Sequence, residues 1–332
     1  MGWKGTLRSV NSAIKASERE SRRKQRELER QRKQYNKMVE LEQAQYEVEQ
    51  FENYLERVTS IHLEKSNNID WKEIASKPKP KEPNFTDKFE HKAQKELDSY
   101  KPSFFDNIFN RTEKKREALS LAVENARKKD EKYYEQLREN HEQNLIDWKD
   151  SKEFAQRVLE GDQEAWSEAI EELAPFSEIS ELGANLSFTF EKSAPVQAKI
   201  NVHGEDIIPN QKKSLLKSGK LSTKNMPKGE FFELYQDYVC SVVLRIAGEL
   251  FSILPASAVV ITAVDDLLNS SIGHIEEQAI LSVAIPRKTF DKLNLQMIDP
   301  SDSMENFVHN MDFKKTKGFN TVEIVEWQNL NL

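Results

Sequence analysis

From Thr6 to Lys65 the chain runs without proline or glycine, which predicts one uninterrupted helix. Within it Leu41, Ala44, Val48, Phe51, Leu55 and Val58 recur at alternating steps of three and four, a heptad seam that needs a partner. The prolines of Lys77-Pro78-Lys79-Pro80-Lys81-Glu82-Pro83 exclude helix and predict a stiff connector, residues 77–83. Short helices are expected on either side, at Asp70 to Ala75 and Asp87 to Tyr100. Thr112 has the chemistry of an N-cap for a second long helix to Glu160, with an imperfect stripe of Leu119, Ala122, Ala126, Tyr133, Leu137, Leu145 and Trp148. Two long helices around a proline-rich connector predict an antiparallel hairpin in which one stripe covers the other.

Gly161 reads as a helix-ending glycine and Asp162 as the cap of a further helix carrying Trp166, Ile170 and Leu173. The period then changes to two. Leu186, Phe188 and Phe190, and then Val196, Ala198, Ile200 and Val202, predict an antiparallel strand pair. A polar loop is expected from Pro209 to Gly229, and from Glu230 to Leu254 a helix that is apolar on most sides and therefore central. Ala258 to Val264 and Gln278 to Ile285 read as strands covered on both faces. Asp299-Pro300 predicts a helix start followed by Met304, Phe307, Val308 and Met311 on one face, and Thr321 to Trp327 a last strand. The expected fold class is α+β: an N-terminal long helical coiled-coil hairpin (1–160), a helical junction (161–183) and a mixed α/β C-terminal domain (184–332).

Composition refines this division. Of 332 residues, 37% are hydrophobic and 32% charged, and nearly all long apolar runs follow Ala184, so the main core is expected there. A net charge of −7 argues against coating of nucleic acid by the whole molecule. The single cysteine, Cys240, lies in an apolar helical run and fits a reducing cytoplasm. No stretch reaches the roughly 18 apolar residues of a membrane span, and no secretory leader is read at the N-terminus.

Basic residues concentrate in two places that are candidates for polyanion binding. One is the 209–229 loop with Lys212, Lys213, Lys217, Lys220, Lys224 and Lys228 and no acid. The other is the opening of the first helix, with Arg22, Arg23, Arg26 and Arg30, although Glu18, Glu20, Glu27 and Glu29 dilute it and base-stacking aromatics are missing. Phe104, Phe105, Ile108 and Phe109 form an apolar cluster in charged surroundings and are the candidate protein-interaction residues. The histidines are scattered without zinc-ligand spacing, and no nucleophile elbow or dinucleotide-binding glycine pattern is present.

The succession of apolar helix, strand ending in Asp265-Asp266, second strand and helix resembles the core of restriction-endonuclease-like nucleases. That resemblance implies a metal held by acids near the first strand and a Glu-x-Lys in the second. Here Ser282 and Ala284 stand where the carboxylate and lysine belong, so only a displaced catalytic site drawing on Asp265, Asp266, Glu249 and Lys288 remains. No cofactor and no resident metal are read.

The chain is therefore expected to be a non-enzymatic coiled-coil assembly protein, a subunit of a bacterial cytoplasmic complex. Its expected partner is a second copy through the coiled coil or another protein. The alternatives are a nucleic-acid-binding component of a defence or DNA-maintenance system, and a divergent nuclease.

Overall fold

The computed structural model describes residues 3–64, 66–102, 111–173, 176, 185–191, 195–269 and 272–330, the side chains of 3–23, 205, 206, 269 and 329 excepted. The chain forms two compact units, residues 1–68 together with 172–332, and residues 69–171. The α+β class holds. The first long helix, α1 (Trp3–Thr59), groups with the C-terminal residues and not with the second long helix. Phe104, Phe105, Ile108 and Phe109 lie outside the described residues.

The two long helices do not form the expected hairpin as one unit: in the 69–171 unit the second long helix is covered by the broken segment that precedes it. This unit contains α2 (Trp71–Ser76), α3 (Lys88–Ser99), α4 (Thr112–Glu160) and most of α5 (Gln163–Leu173). The segment from Trp71 to Ser99 runs antiparallel along α4: Trp71 meets Phe154 edge-on, Phe85 meets Tyr134 and Phe89 meets Tyr133. The proline-rich connector is part of this packing, because the Trp148 indole donates to the Lys77 carbonyl at 2.9 Å. Asp70 caps α2 by accepting from Glu73 N. Gly161 ends α4 with φ +78° and Asp162 caps α5 by accepting from Ala165 N at 2.8 Å, both as their residue types predict.

In the other unit β1 (Asn185–Thr189), β2 (Val196–Asn201), β5 (Ala258–Asn269), β6 (His274–Pro286), β7 (Val308–Lys314) and β8 (Gly318–Asn320) form one sheet in the order β1-β2-β5-β6-β7-β8. The β2–β5 pair is parallel and the remaining pairs antiparallel. The crossover between β2 and β5 holds α6 (Gly204–Ile207), the hairpin β3 (Gln211–Leu215) with β4 (Leu221–Asn225), and α7 (Lys228–Ile253). As its apolar pattern predicts, α7 is the central helix, buried continuously from Tyr238 to Ile253. Arg287, in α8 (Arg287–Phe290), donates to the carbonyls of Phe251, Leu254 and Ala256 and so satisfies the end of α7 where Pro255 stops it. Val325, backed by Trp327 and Leu330, packs with Val260 and Ala284 of the sheet.

Three expectations change here. The 209–229 loop is the β3–β4 hairpin, turned at Gly219 with φ +81°. The Asp299 carboxylate does accept from Ser301 N and Asp302 N, but only a 3-10 turn, Asp302–Asn306, follows before the chain extends into β7. The edge of β6 explains this: Ala284 to Leu281 offer ladder partners to Val308 through Met311, which a helix would forfeit. The last strand is Gly318–Asn320 rather than Thr321–Trp327, and Val325 N donates to the Ser282 hydroxyl instead of to a ladder carbonyl.

Candidate interaction surface

The seam of α1 is covered within its own unit. Ala44, Val48 and Val58 are buried, and α1 lies against β3, β4 and α7. Leu41 closes over the hairpin turn so tightly that a Cβ on Gly219 would stand 2.9 Å from its Cδ2. Lys213 pairs with Glu47 at 3.1 Å, holding that carboxyl below its usual range, and Lys220 pairs with Glu40 at 2.9 Å. The Tyr54 hydroxyl donates to the Ile207 carbonyl at 2.8 Å.

Beyond α1 the docking becomes polar and buried. Ser241, Arg245, Glu249 and Ser252 recur at helical spacing down one face of α7, and the Ile61–Leu63 turn and Ser66 lie against them. The Ser241 hydroxyl accepts from His62 N at 3.0 Å and pairs with the ring Nδ1 at 2.8 Å, while Nε2 faces the Leu295 carbonyl. Burial lowers the His62 pKa against the opposing effects of that carbonyl and of Asp299. Arg245 Nε and Glu249 Oε1 stand 3.1 Å apart, both side chains buried, and Ser66 N donates to the same Glu249 oxygen. Ser252 donates to the Ser66 carbonyl. This ladder fixes the register in which the end of α1 meets α7, because a shift along α7 leaves buried charges and donors unmatched.

The opposite face of α1 is bare. Leu28, Tyr35, Val39 and Tyr46 are 60%, 68%, 46% and 57% exposed. At 100° per residue their side chains fall within about 40° of one another, on the far side from Ala44 and Val48. An apolar stripe of this regularity on a charged rod is the kind of surface that meets a partner.

The residues marked by sequence for other chemistry are dispersed. Lys212, Lys213 and Lys220 are neutralised by Glu230, Glu47 and Glu40, whereas Lys217, Lys224 and Lys228 are exposed. Arg26 and Arg30 are exposed on α1, and the side chains of Arg22 and Arg23 lie outside the described residues. Asp265 is buried and accepts from Tyr235 OH, Gly204 N and Asp266 N, so it ties β5 to α6 and α7. Asp266 stands opposite Glu277 in the ladder. Lys288 follows the end of β6 that pairs with Ala258, about 23 Å along the hairpin from Asp265. Glu249 lies about 21 Å along α7 from Tyr235, the partner of Asp265. The structure does not assemble these four residues, and after the second strand the chain makes only the four-residue α8 before a 3-10 turn and β7 take the place of the longer helix expected from Asp299. The Cys240 thiol is buried and its pKa is raised by that burial.

One cleft escaped the sequence reading. About 540 Å³ in volume, it lies between the first turns of α7, the 299–306 turn and β7, and its walls include Glu233, Asp237, Asp299, Asp302, Glu305 and His309. Burial and the charge of Asp299 push the Asp237 carboxyl up to about 6, against a hydrogen bond from Ser301. Asp299 moves the other way, because burial is outweighed by bonds from Asp302 N and from the hydroxyl and backbone of Ser301, and by the charge of His62. A carboxyl with a raised folded-state pKa binds more protons folded than unfolded between about pH 4 and 6, so stability falls as pH rises through that window. Asp237→Asn is expected to stabilise the protein by about 1 kcal/mol at pH 7.5, after allowance for solvent screening, and by nothing at pH 4. Urea unfolding at the two pH values measures the difference.

Among the described residues no helix is long and apolar enough to cross a membrane. Comparison with protein-family profiles, with curated proteins and with solved structures finds no match.

Proposed function

We propose that this chain is a non-enzymatic assembly protein, in which α1 is a rigid arm anchored by one face and docked onto a helical partner by the other. The observation that carries the reading is the pair of opposed apolar faces on one helix: Ala44 and Val48 buried, Leu28, Tyr35, Val39 and Tyr46 exposed. A 57-residue helix spans about 85 Å. The hairpin ion pairs and the buried ladder on α7 hold its last third, so the free face is presented with a defined direction and is pre-organised for binding. A buried, unactivated Cys240 suits a reducing cytoplasm, the compartment we assign.

A photoreactive amino acid placed at Val39 in cells tests whether this face is covered at all. The expected outcome is a discrete cross-linked species, reduced at least several-fold when Leu28, Tyr35 and Tyr46 are replaced by serine. Absence of any cross-link from Val39, with the same probe active elsewhere on the surface, overturns the assembly reading.

A further inference from the structure

We infer that the partner of the free α1 face is α1 of a second copy, lying antiparallel about a twofold axis that passes at the level of Lys37. This deepens the assembly reading and rests on it. The stripe is palindromic in position: Leu28 and Tyr46 are equidistant from residue 37, and so are Tyr35 and Val39. A twofold axis at that level places Leu28 of each copy beside Tyr46 of the other and Tyr35 beside Val39, so all four exposed apolar side chains are covered at once. A parallel pair brings each residue against itself.

Charge selects the same arrangement. Residues 22–37 hold eight basic and two acidic side chains, while 40–56 hold six glutamates and no lysine or arginine. Antiparallel pairing lays the basic block of each copy along the acidic block of the other, and Lys24 falls beside Glu49 on one flank of the stripe. Parallel pairing stacks like on like over both blocks, which is unfavourable along the whole contact. Glu40 and Glu47 are already engaged by Lys220 and Lys213, leaving Glu42, Glu49, Glu52 and Glu56 for the second copy. The face used is opposite the one that packs on β3, β4 and α7, so the fold of each chain need not change.

The full-length protein, studied by light scattering after size exclusion, is expected to reach twice the 38.6 kDa chain mass at high concentration. The dimer should weaken as salt is raised, and the Leu28→Glu/Tyr46→Glu variant should remain monomeric with unchanged circular dichroism. Orientation is read by thiols, since the native Cys240 is buried and does not compete. Mixed Leu28→Cys and Tyr46→Cys proteins, each carrying a different tag, are expected to form the mixed disulfide. The two introduced thiols of a Leu28→Cys homodimer stand about 27 Å apart in the antiparallel pair and should not join. Disulfides that join position 28 to 28 and 46 to 46 in preference to the mixed one overturn the arrangement. A mass that stays monomeric at every concentration overturns self-association. In that case a surviving Val39 cross-link to a different protein would leave the assembly reading standing with another partner.

Discussion

Replacing Arg245 by methionine is expected to lower the stability of the unit that contains α7 by about 3–5 kcal/mol, the largest single-residue effect outside the apolar core. Arg245 and Glu249 are 5% and 0% exposed and sit one helical turn apart, facing the chain that leads out of α1. Without the guanidinium, Glu249 is left with a single backbone donor, Ser66 N, for a buried charge. Taking both charges out of water is expensive, and removing one partner leaves that expense unopposed. The double variant Arg245→Met/Glu249→Leu is therefore expected to recover most of the loss. Urea unfolding of the two single variants and the double variant gives the coupling directly. Equal loss in the double and single variants would show that the pair contributes shape rather than charge compensation.

Asp130→Ala is expected to destabilise the 69–171 unit by about 2–3 kcal/mol while leaving the sheet-containing unit unaffected. Asp130 is 1% exposed in the middle of α4, where an isolated carboxylate is otherwise unfavourable. Its two oxygens accept from Phe89 N at 3.0 Å and Glu90 N at 2.7 Å, the first amides of α3, so one residue serves as the N-terminal cap of a different helix. Asp87, at the N-cap position itself, makes no side-chain cap bond. The Lys129 ammonium lies 4.3 Å from the centre of the Phe89 ring and adds a second hold on the same turn. Hydrogen exchange resolved by segment is the measurement of choice: protection should fall in α3 and the facing part of α4, and remain in β5 and β6. Loss of protection in β5 and β6 would mean that the two units unfold as one.

Legibility followed the range of the interaction. The second long helix, the extent of α7 and the helix end and cap at Gly161 and Asp162 were readable because they depend on side chains within a few residues of each other, and the short β1–β2 pair from its alternation. α1 ends at Thr59 rather than Lys65, and Thr112, read as an N-cap, is the first residue of α4 with Arg111 in the cap position. The 299–311 segment was misread through the same dependence on near neighbours. An acid and proline make a sound start to a helix, and Met304, Phe307, Val308 and Met311 match its period, but the open edge of β6 supplies hydrogen bonds that local preference cannot foresee. In the candidate interaction surface the bare stripe of Leu28, Tyr35, Val39 and Tyr46 was present as spacing and went unnoticed beside the stronger seam that begins at Leu41. The polar ladder of α7 also had a signal, four hydrophilic residues on one face of an otherwise apolar helix. The acidic cleft had none, since Asp237 and Asp299 are 62 positions apart.

What the amino-acid order alone determined is the set of elements: a continuous charged rod with a seam, a second long helix, a proline connector, and an apolar helix among strands. What only the tertiary structure decided is which surfaces meet. The seam of α1 is satisfied by β3, β4 and α7 rather than by α4, and the lysines of the hairpin answer Glu40 and Glu47 across more than 160 positions. Periodicity records that a face is to be buried, because burial rewards any apolar cover of matching shape. The choice among covers rests on packing, charge matching and chain connection summed over the whole fold, and no window of local sequence contains that sum.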